Sequence, residues 1–251
     1  MIAKNILQSI ISKYYLGGKV ESVKWVVEDK KLHIDFMAPT KDMIGRLSCN
    51  NFPLAENGTL AIFNTTQLNR LLNVLSGDLI LDAERTKAVL TKLTIQDAKA
   101  SINYSLADPL MIQKVGEVDE ENANWKVQAT LENEDFHTFV RAASAIQGNE
   151  IVTLAASRDS IDTPIINFVF GERMEFSNKV EFQVNATFGD DVREDNKIPF
   201  SSEMLREIFN ANKTSDECHL SFMDDGLLRL IFTSQDEGID TTYFVVRKAD
   251  Y

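Results

Sequence analysis

Four stretches of the chain carry apolar residues three and four positions apart, which is the spacing of one buried face of an α-helix. They predict helices over residues 4–16, 65–77, 134–147 and 201–213. We expect Thr65 or Thr66 to cap the second helix and Gly77 to close it. The predicted buried faces are Leu7, Ile10, Ile11 and Tyr14; Leu68, Leu71, Leu72 and Leu75; Phe136, Phe139, Val140 and Ala143; and Met204, Leu205, Ile208 and Phe209.

Between these helices, apolar and polar residues alternate, as they do in strands with one buried face. The order of helix, strands, helix, strands occurs twice. A shift of about 137 positions places Phe63 on Phe200, Leu68 on Leu205 and Asn73 on Asn210. The pattern therefore predicts an α+β protein with two similar domains, each with two helices packed on antiparallel sheets.

The segment that joins the two halves differs from both. It begins at Asp108-Pro109, carries four acidic residues between positions 117 and 121, and has no sustained periodicity. Such a segment is typical of an interdomain connector. The predicted division is a first domain over residues 1–108, a connector over residues 109–124 and a second domain over residues 125–251.

Composition places the chain among globular proteins, because 44% of its 251 residues are hydrophobic and 25% are charged. No apolar run approaches the length of a membrane span, so we expect no membrane partner. Cys49 and Cys218 have no metal-ligand spacing and do not suggest a disulfide framework, so we expect a cytoplasmic protein. The net charge of −12 is uneven, since residues 1–115 carry +3 and the remainder carries −15. A local basic surface therefore remains possible.

Motifs of enzymatic chemistry are missing from the sequence, which has no GxGxxG, Walker loop, HExxH or GxSxG. The three histidines are far apart, and Asp190, Asp191 and Asp195 lack the glycine and the spacing of a calcium loop. We expect no catalytic residue, metal or cofactor. A metal-assisted hydrolase that uses the acidic loops stays open as an alternative.

The polar faces of the predicted helices are rich in amide, hydroxyl and basic side chains. Such faces hydrogen-bond or attract phosphates without reading a base sequence, although ordinary solvated helix faces share this composition. The side chains away from the apolar faces include Lys4, Asn5, Gln8, Ser9, Ser12 and Lys13; Thr66, Asn69, Arg70 and Asn73; His137, Thr138, Arg141 and Ser144; and Glu203, Arg206, Asn210 and Lys213.

These features together resemble a DNA sliding clamp of the proliferating-cell-nuclear-antigen type or the T-even-phage type. The likeness rests on three segments, NTTQLNRLLNVLSGD, FHTFVRAASAI and the closing IPFSSEMLREIFNANK…TTYFVVRKAD. The last segment carries Arg247-Lys248 where cellular clamps often have Ala-Pro, so we expect a different partner specificity. From the resemblance as a whole we expect a viral replication protein.

The resemblance implies a non-enzymatic ring that encircles duplex DNA without sequence preference and tethers the replicative DNA polymerase after a clamp loader has opened it. It implies DNA contacts from the helices, a hydrophobic pocket for a partner peptide, and a homotrimer closed by paired edge strands. The candidate DNA-binding residues are Lys4, Lys13, Arg70, Arg141, Arg206 and Lys213. The candidate pocket residues are Met43, Ile44, Leu110, Ile112 and Val246. The candidate subunit-interface residues are Ile102, Tyr104 and Leu106 on one edge and Val180, Phe182 and Val184 on the other. A two-domain viral structural protein whose sheet edges mediate assembly is a further alternative.

Overall fold

The computed structural model describes residues 1–120, 122–146, 148, 150–171 and 178–249. They form two compact units, each with its own core. Unit 1 comprises Met1–Gly116 and the short return segment Gln235–Thr241, and unit 2 comprises Glu117–Ser234 and the chain from Thr242 onward. The domain and connector boundaries drawn from the sequence stay a prediction.

Unit 1 packs two helices against antiparallel strands. Its elements are β1 (Ile2–Ala3), α1 (Lys4–Tyr15), β2 (Val23–Glu28), β3 (Lys31–Met37), β4 (Met43–Cys49), β5 (Gly58–Ile62), α2 (Thr65–Leu72), β6 (Asp78–Thr86), β7 (Val89–Gln96) and β8 (Ser101–Ser105). One sheet has the strand order β1-β6-β7-β8, and β5-β2-β3-β4 run side by side in another.

The core of unit 1 is built around aromatic side chains. Trp25 on β2 meets Tyr14 of α1 at 6.3 Å between ring centroids and Phe52 at 6.0 Å, both edge to face, a geometry that aromatic pairs favour. The Phe36 ring lies over Gly45, where a Cβ would stand 2.1 Å from Phe36 Cζ. Only a glycine leaves room for that ring.

Unit 2 repeats the plan. Its elements are β9 (Val127–Glu132), α3 (Asn133–Ala145), β10 (Ile151–Arg158), β11 (Pro164–Phe170), β12 (Val180–Asn185), β13 (Thr187–Phe188), β14 (Ile198–Ser201), α4 (Ser202–Ala211), β15 (Glu217–Phe222), β16 (Leu227–Ser234) and the greater part of β17 (Ile239–Val246), whose first three residues belong to the return segment of unit 1. One sheet has the order β12-β11-β10-β14, and β13-β9-β15-β16-β17 run side by side in another.

The two helices of each unit contact one another, through hydrogen bonds in unit 1 and through aromatic rings in unit 2. In unit 1 the Tyr14 hydroxyl lies 3.3 Å from Thr65 Oγ1, and Tyr15 and Thr66 share a hydrogen bond of 2.7 Å. In unit 2 the ring of Phe209 on α4 lies 4.6 Å from that of Phe139 on α3. The fold class predicted from the sequence, α+β with helix pairs on antiparallel sheets, is confirmed.

All four predicted helices are present, but the ends of α2 differ from the prediction. Its N-cap is Asn64 and not Thr65 or Thr66. The Asn64 side chain accepts a hydrogen bond from the Gln67 N–H at 2.8 Å. Thr65 is instead buried, and its hydroxyl donates to the Glu21 carbonyl at 2.9 Å. The helix ends at Leu72, well before the predicted Gly77. Thr65, which the local pattern favoured as the cap, is thus engaged in a hydrogen bond with Glu21, a residue distant in sequence.

The buried faces follow the predicted spacing with two exceptions. Leu71 and Val140 are only half-buried, and Ala142 lies in the core beside Ala143. Leu75 is buried although it lies beyond the end of α2. Among the described helices, none has the length and apolar character needed to cross a lipid bilayer.

Candidate nucleic-acid interface and sheet edges

Helix α2 of unit 1 and helix α3 of unit 2 each expose one arginine. Arg70 lies in the last turn of α2, a helix without an acidic residue, and its side chain is exposed. Arg141 on α3 is exposed as well, and its Nη2 donates to Thr138 Oγ1 at 3.1 Å. The opposite face of each helix packs in the core. Both guanidinium groups therefore lie on the solvent side, where a phosphate can approach them.

The two predicted cations of α4 differ from each other. The Arg206 guanidinium is half-buried and pairs with Glu207 at 3.0 Å, which partly neutralises it. Lys213 follows the helix and is exposed, and its carbonyl oxygen accepts from Asn133 Nδ2 at 2.7 Å. Lys213 is thus the more accessible cation of this pair.

Helix α1 contributes less positive surface than the sequence predicted. Lys4 is half-buried and its Nζ donates to the Leu75 carbonyl at 2.6 Å. Lys13 is only 1% exposed, and its Nζ lies 4.0 Å from Glu237 Oε2. Burial lowers the pKa of the Lys13 amine, and the Glu237 carboxylate opposes that shift.

The expectation that Lys13 lies on the solvent side of α1 is therefore wrong. The cause is the return segment Gln235–Thr241, whose Glu237 also accepts from Ser9 Oγ at 2.7 Å. This segment lies more than 200 residues away along the chain, so the local pattern of α1 carried no signal of it. As it lies in this structure, the Lys13 amine is not accessible to a phosphate.

The four-stranded sheet of each unit ends on a strand with a neighbour on one side. Within the described ranges, β8 is bonded to β7 alone, and β12 is bonded to β11 alone. At the opposite ends of the same sheets, β1 has only two residues, and β14 receives a hydrogen bond from the Lys248 N–H to the Pro199 carbonyl at 2.9 Å. Strands β8 and β12 are therefore the longer open edges of the two four-stranded sheets, and unpaired edges of this kind are templates for pairing with another chain.

The apolar rows of these edges point inward. Ile102, Tyr104 and Val184 are buried within their own units, and Leu106, Val180 and Phe182 are half-buried. The core of each unit thus already covers most of both rows, and edge pairing is not needed to bury them. The solvent side of each edge is polar and consists of Ser101, Asn103 and Ser105 on β8 and Glu181, Gln183 and Asn185 on β12.

Strand β8 is held in place from both ends. The Tyr104 hydroxyl donates to the Asn64 carbonyl at 3.1 Å and accepts from the Asn64 N–H at 3.0 Å. In the turn before β8, Asp97 accepts from the N–H groups of Ser76, Lys99 and Ala100, each at 2.7 Å. These backbone hydrogen bonds lower the pKa of the Asp97 carboxyl to about 2.

The candidate pocket residues differ widely in exposure. Met43 and Ile112 are buried and Ile44 is half-buried, whereas Leu110 is 90% exposed and Val246 is 48% exposed. The connector passes close to Ile44, because a Cβ at Gly116 would lie 3.9 Å from Ile44 Cδ1. That these five side chains line one pocket stays a prediction.

The histidines and the acidic loop of the described part of the chain lie apart from one another. His33, His137 and His219 are exposed and belong to different elements, and the carboxylates of the Asp190 loop are exposed too. Within the described ranges, no three His, Cys, Asp or Glu side chains are arranged to hold a metal ion. Both cysteines are buried, which raises the pKa of the Cys49 thiol to about 11.

Comparison with known proteins supports the fold. No protein-family model matches the chain, and no curated protein sequence matches it either. Among solved structures, it is similar to the Proliferating Cellular Nuclear Antigen (PCNA) of Entamoeba histolytica, with 15% identity, a TM-score of 0.73 and coverage of 98% of this chain and 96% of that one.

Two further structures match over the whole chain. The PCNA2-PCNA3 complex of Sulfolobus tokodaii gives 12% identity and a TM-score of 0.75, and the A. fulgidus PCNA bound to the C-terminal region of FEN-1 gives 13% identity and a TM-score of 0.76. Each covers 100% of this chain and 98% of the other. The chain therefore has the PCNA-like DNA-clamp fold over its whole length, as its sequence resemblance predicted.

The carboxyl of Asp97 gives a prediction about the stability of the β8 edge. Its pKa is depressed in the folded state below the value of about 3.9 for an unfolded Asp. Its stabilising effect is therefore complete above about pH 4 and is lost as the pH falls toward 2. We expect Asp97→Asn to lower the free energy of unfolding at neutral pH, and the difference from wild type to shrink as the solution is acidified. Urea unfolding across a pH series measures both.

The matched control is Asp78→Asn, which removes an exposed carboxylate from the same sheet. It should change the free energy of unfolding by less than about 0.5 kcal/mol at neutral pH. Equal destabilisation by the two variants at neutral pH would contradict the role given to Asp97.

Proposed function

We propose that the chain is a sliding clamp, a non-enzymatic ring that encircles duplex DNA and holds the replicative polymerase on it. The observation that carries the proposal is the full-length match to PCNA structures, in a chain whose two units each pair two helices and whose four-stranded sheets end on β8 and β12. The proposed setting is the cytoplasm, that of the host if the protein is viral.

The exposed arginines support a weak and sequence-independent contact with DNA. Arg70, Arg141 and Lys213 offer isolated cations on separate elements, without the dense basic patch of a protein that binds DNA by charge alone. A ring is retained on DNA by its topology, so a few phosphate contacts suffice. The net charge of −12 is compatible with this mode of binding and disfavours DNA on the wrong surface.

The open edges support assembly from identical copies. Pairing of β8 in one copy with β12 of the next is a heterologous contact, and such contacts generate a closed ring when the rotation between copies divides the circle. Three copies of two domains give six domains. The apolar side chains of β8 and β12 already lie in the cores of their own units. Because side chains alternate between the two faces of a strand, pairing of the two edges would place their polar side chains side by side on the solvent face.

The connector supports the binding of partner proteins. Leu110 and Met111 are exposed in the short 3-10 helix Pro109–Met111, and exposed apolar side chains of this kind anchor partner peptides. One of the similar structures is a PCNA bound to a region of another protein, and another is a complex of two PCNA chains. By analogy we infer that a DNA polymerase and a clamp loader bind this chain and that it assembles with itself.

The DNA contact is tested by the variant Arg70→Glu with Arg141→Glu. Each lost phosphate contact should reduce the slope of log affinity against log salt by about 1. We therefore expect the slope to fall by about 2, and the affinity for a short duplex to fall at low salt, as measured by fluorescence anisotropy. Duplexes of unrelated sequence should give the same result.

The control variant is Lys31→Glu with Arg193→Glu, which changes the net charge by the same amount at two exposed positions outside the helices. It should leave the slope unchanged. A loss of affinity in the control as large as in the arginine variant would show that the effect is one of total charge and would overturn the assignment.

The ring is tested by placing charges on the polar rows of the two edges. Asn103→Lys with Gln183→Lys sets like charges against each other across the proposed junction, whereas Asn103→Lys with Gln183→Glu sets opposite charges there. We expect the wild type and the opposite-charge variant to have the mass of a trimer by light scattering, and the like-charge variant to dissociate to monomers.

Both positions are exposed, so neither variant should affect folding of the single chain. A wild-type chain that stays monomeric well above micromolar concentration would contradict a stable trimer. Identical masses for the two charge variants would contradict the pairing of β8 with β12.

A further inference from the structure

Within unit 2, a guanidinium group is seated on an indole ring beside the acidic connector. Arg229 on β16 places its Cζ 4.3 Å from the centre of the Trp125 ring, which is within the range of a cation–π interaction. Trp125 in turn lies 6.5 Å from the ring of Phe244 on β17. The arrangement fixes the position of one cation on the surface of a unit that is otherwise strongly acidic.

The hydrogen bonds of this guanidinium are few and long. Its Nη1 lies 3.4 Å from Glu120 Oε2, and its Nη2 lies 3.4 Å from Ser221 Oγ, the residue paired with it across β15 and β16. Its Nε is buried and has no acceptor among the described residues, and the same holds for Trp125 Nε1. Strong arginine–carboxylate pairs are bidentate and about 2.7–2.9 Å long, so Glu120 is a poor ligand for this group.

The site remains reachable from solvent. The Arg229 side chain is 19% exposed and that of Glu120 is 32% exposed. Glu120 belongs to the connector and not to a strand or helix, so it can leave without breaking a sheet. A better-placed carboxylate would gain hydrogen bonds from the guanidinium shorter than the 3.4 Å contact that Glu120 makes with Nη1.

We propose that Arg229 on Trp125 is a carboxylate-binding site, that Glu120 occupies it in the unbound chain, and that one carboxylate of a partner peptide replaces Glu120 there. The proposal rests on the proposed function only in taking a partner protein as the source of that carboxylate. Glu120 then acts as an internal competitor that the carboxylate of an incoming peptide must displace from Arg229.

The surroundings define the ligand further. Residues 116–251 carry a net charge of −15, which repels a polyacidic segment and leaves a single carboxylate as the favoured ligand. Val246 lies two positions after Phe244 on β17, on the same face of the strand, and is exposed. An apolar residue next to the acid would therefore find apolar surface beside the site.

The test uses the indole N–H signal of Trp125 in the ¹⁵N-labelled full chain, which has only one other tryptophan, Trp25. The probes are a capped Leu-Glu-Leu tripeptide and its Leu-Gln-Leu twin. A tethered competitor acts at an effective concentration on the order of millimolar. We therefore expect Glu120→Gln to bind Leu-Glu-Leu at least tenfold more tightly than the wild type does, and the twin to bind far more weakly to both.

Two further variants separate the site from general effects. Glu117→Gln removes an exposed acid from the same segment and should leave the affinity at the wild-type level. Arg229→Lys, added to Glu120→Gln, keeps the charge but loses the planar fork, and should cancel most of the gain. Arg229→Gln in the same background should abolish binding, with circular dichroism to verify that the chain is folded.

Equal affinity for the two tripeptides, or no gain from Glu120→Gln, would overturn the proposal. Neither measurement uses DNA or requires a ring. Failure here would thus leave the clamp proposal standing, and failure of the clamp proposal would leave this result to be interpreted on its own.

Discussion

An open strand edge is the constraint from which the rest of the account follows. Strands β8 and β12 have buried side chains on one face and a neighbour on one side only. Their backbone groups on the other side are left to water or to another chain, a state that proteins rarely leave unmanaged. One such edge in each of two similar units is the geometry needed for copies to join head to tail, and head-to-tail joining is what closes a ring.

The proposed ring changes what is required of every other surface. If the ring is retained on DNA by its topology, tight DNA binding is not needed, and isolated cations such as Arg70 and Arg141 are sufficient on the helices. Such retention also allows the remainder of the chain to be acidic. In unit 1, Leu110 of the connector then offers a hydrophobic anchor to partner proteins. In unit 2, the guanidinium of Arg229 on β16 offers a contact of a different kind.

The sequence revealed what depends on local periodicity and missed what depends on distant partners. The four helices and the edge strands β8 and β12 follow from spacing and alternation, and the repeat of elements revealed the two-domain plan. Lys13 was misplaced because Glu237 returns to α1 from the far end of the chain. The cap of α2 was misassigned because Glu21 engages Thr65, leaving Asn64 as the cap. The stacking of Arg229 on Trp125 joins residues about a hundred positions apart, so no local pattern signalled it.

The claim that the chain encircles DNA is tested most directly by topology. Copies carrying Asn103→Cys and Gln183→Cys are mixed with a nicked circular plasmid, joined with a bismaleimide linker and separated by gel filtration at high salt. Covalently closed protein should elute with the circular plasmid and be released once the plasmid is cut at a single site. Equal retention on circular and linear DNA, or no covalent ring under conditions in which both cysteines react, would contradict it.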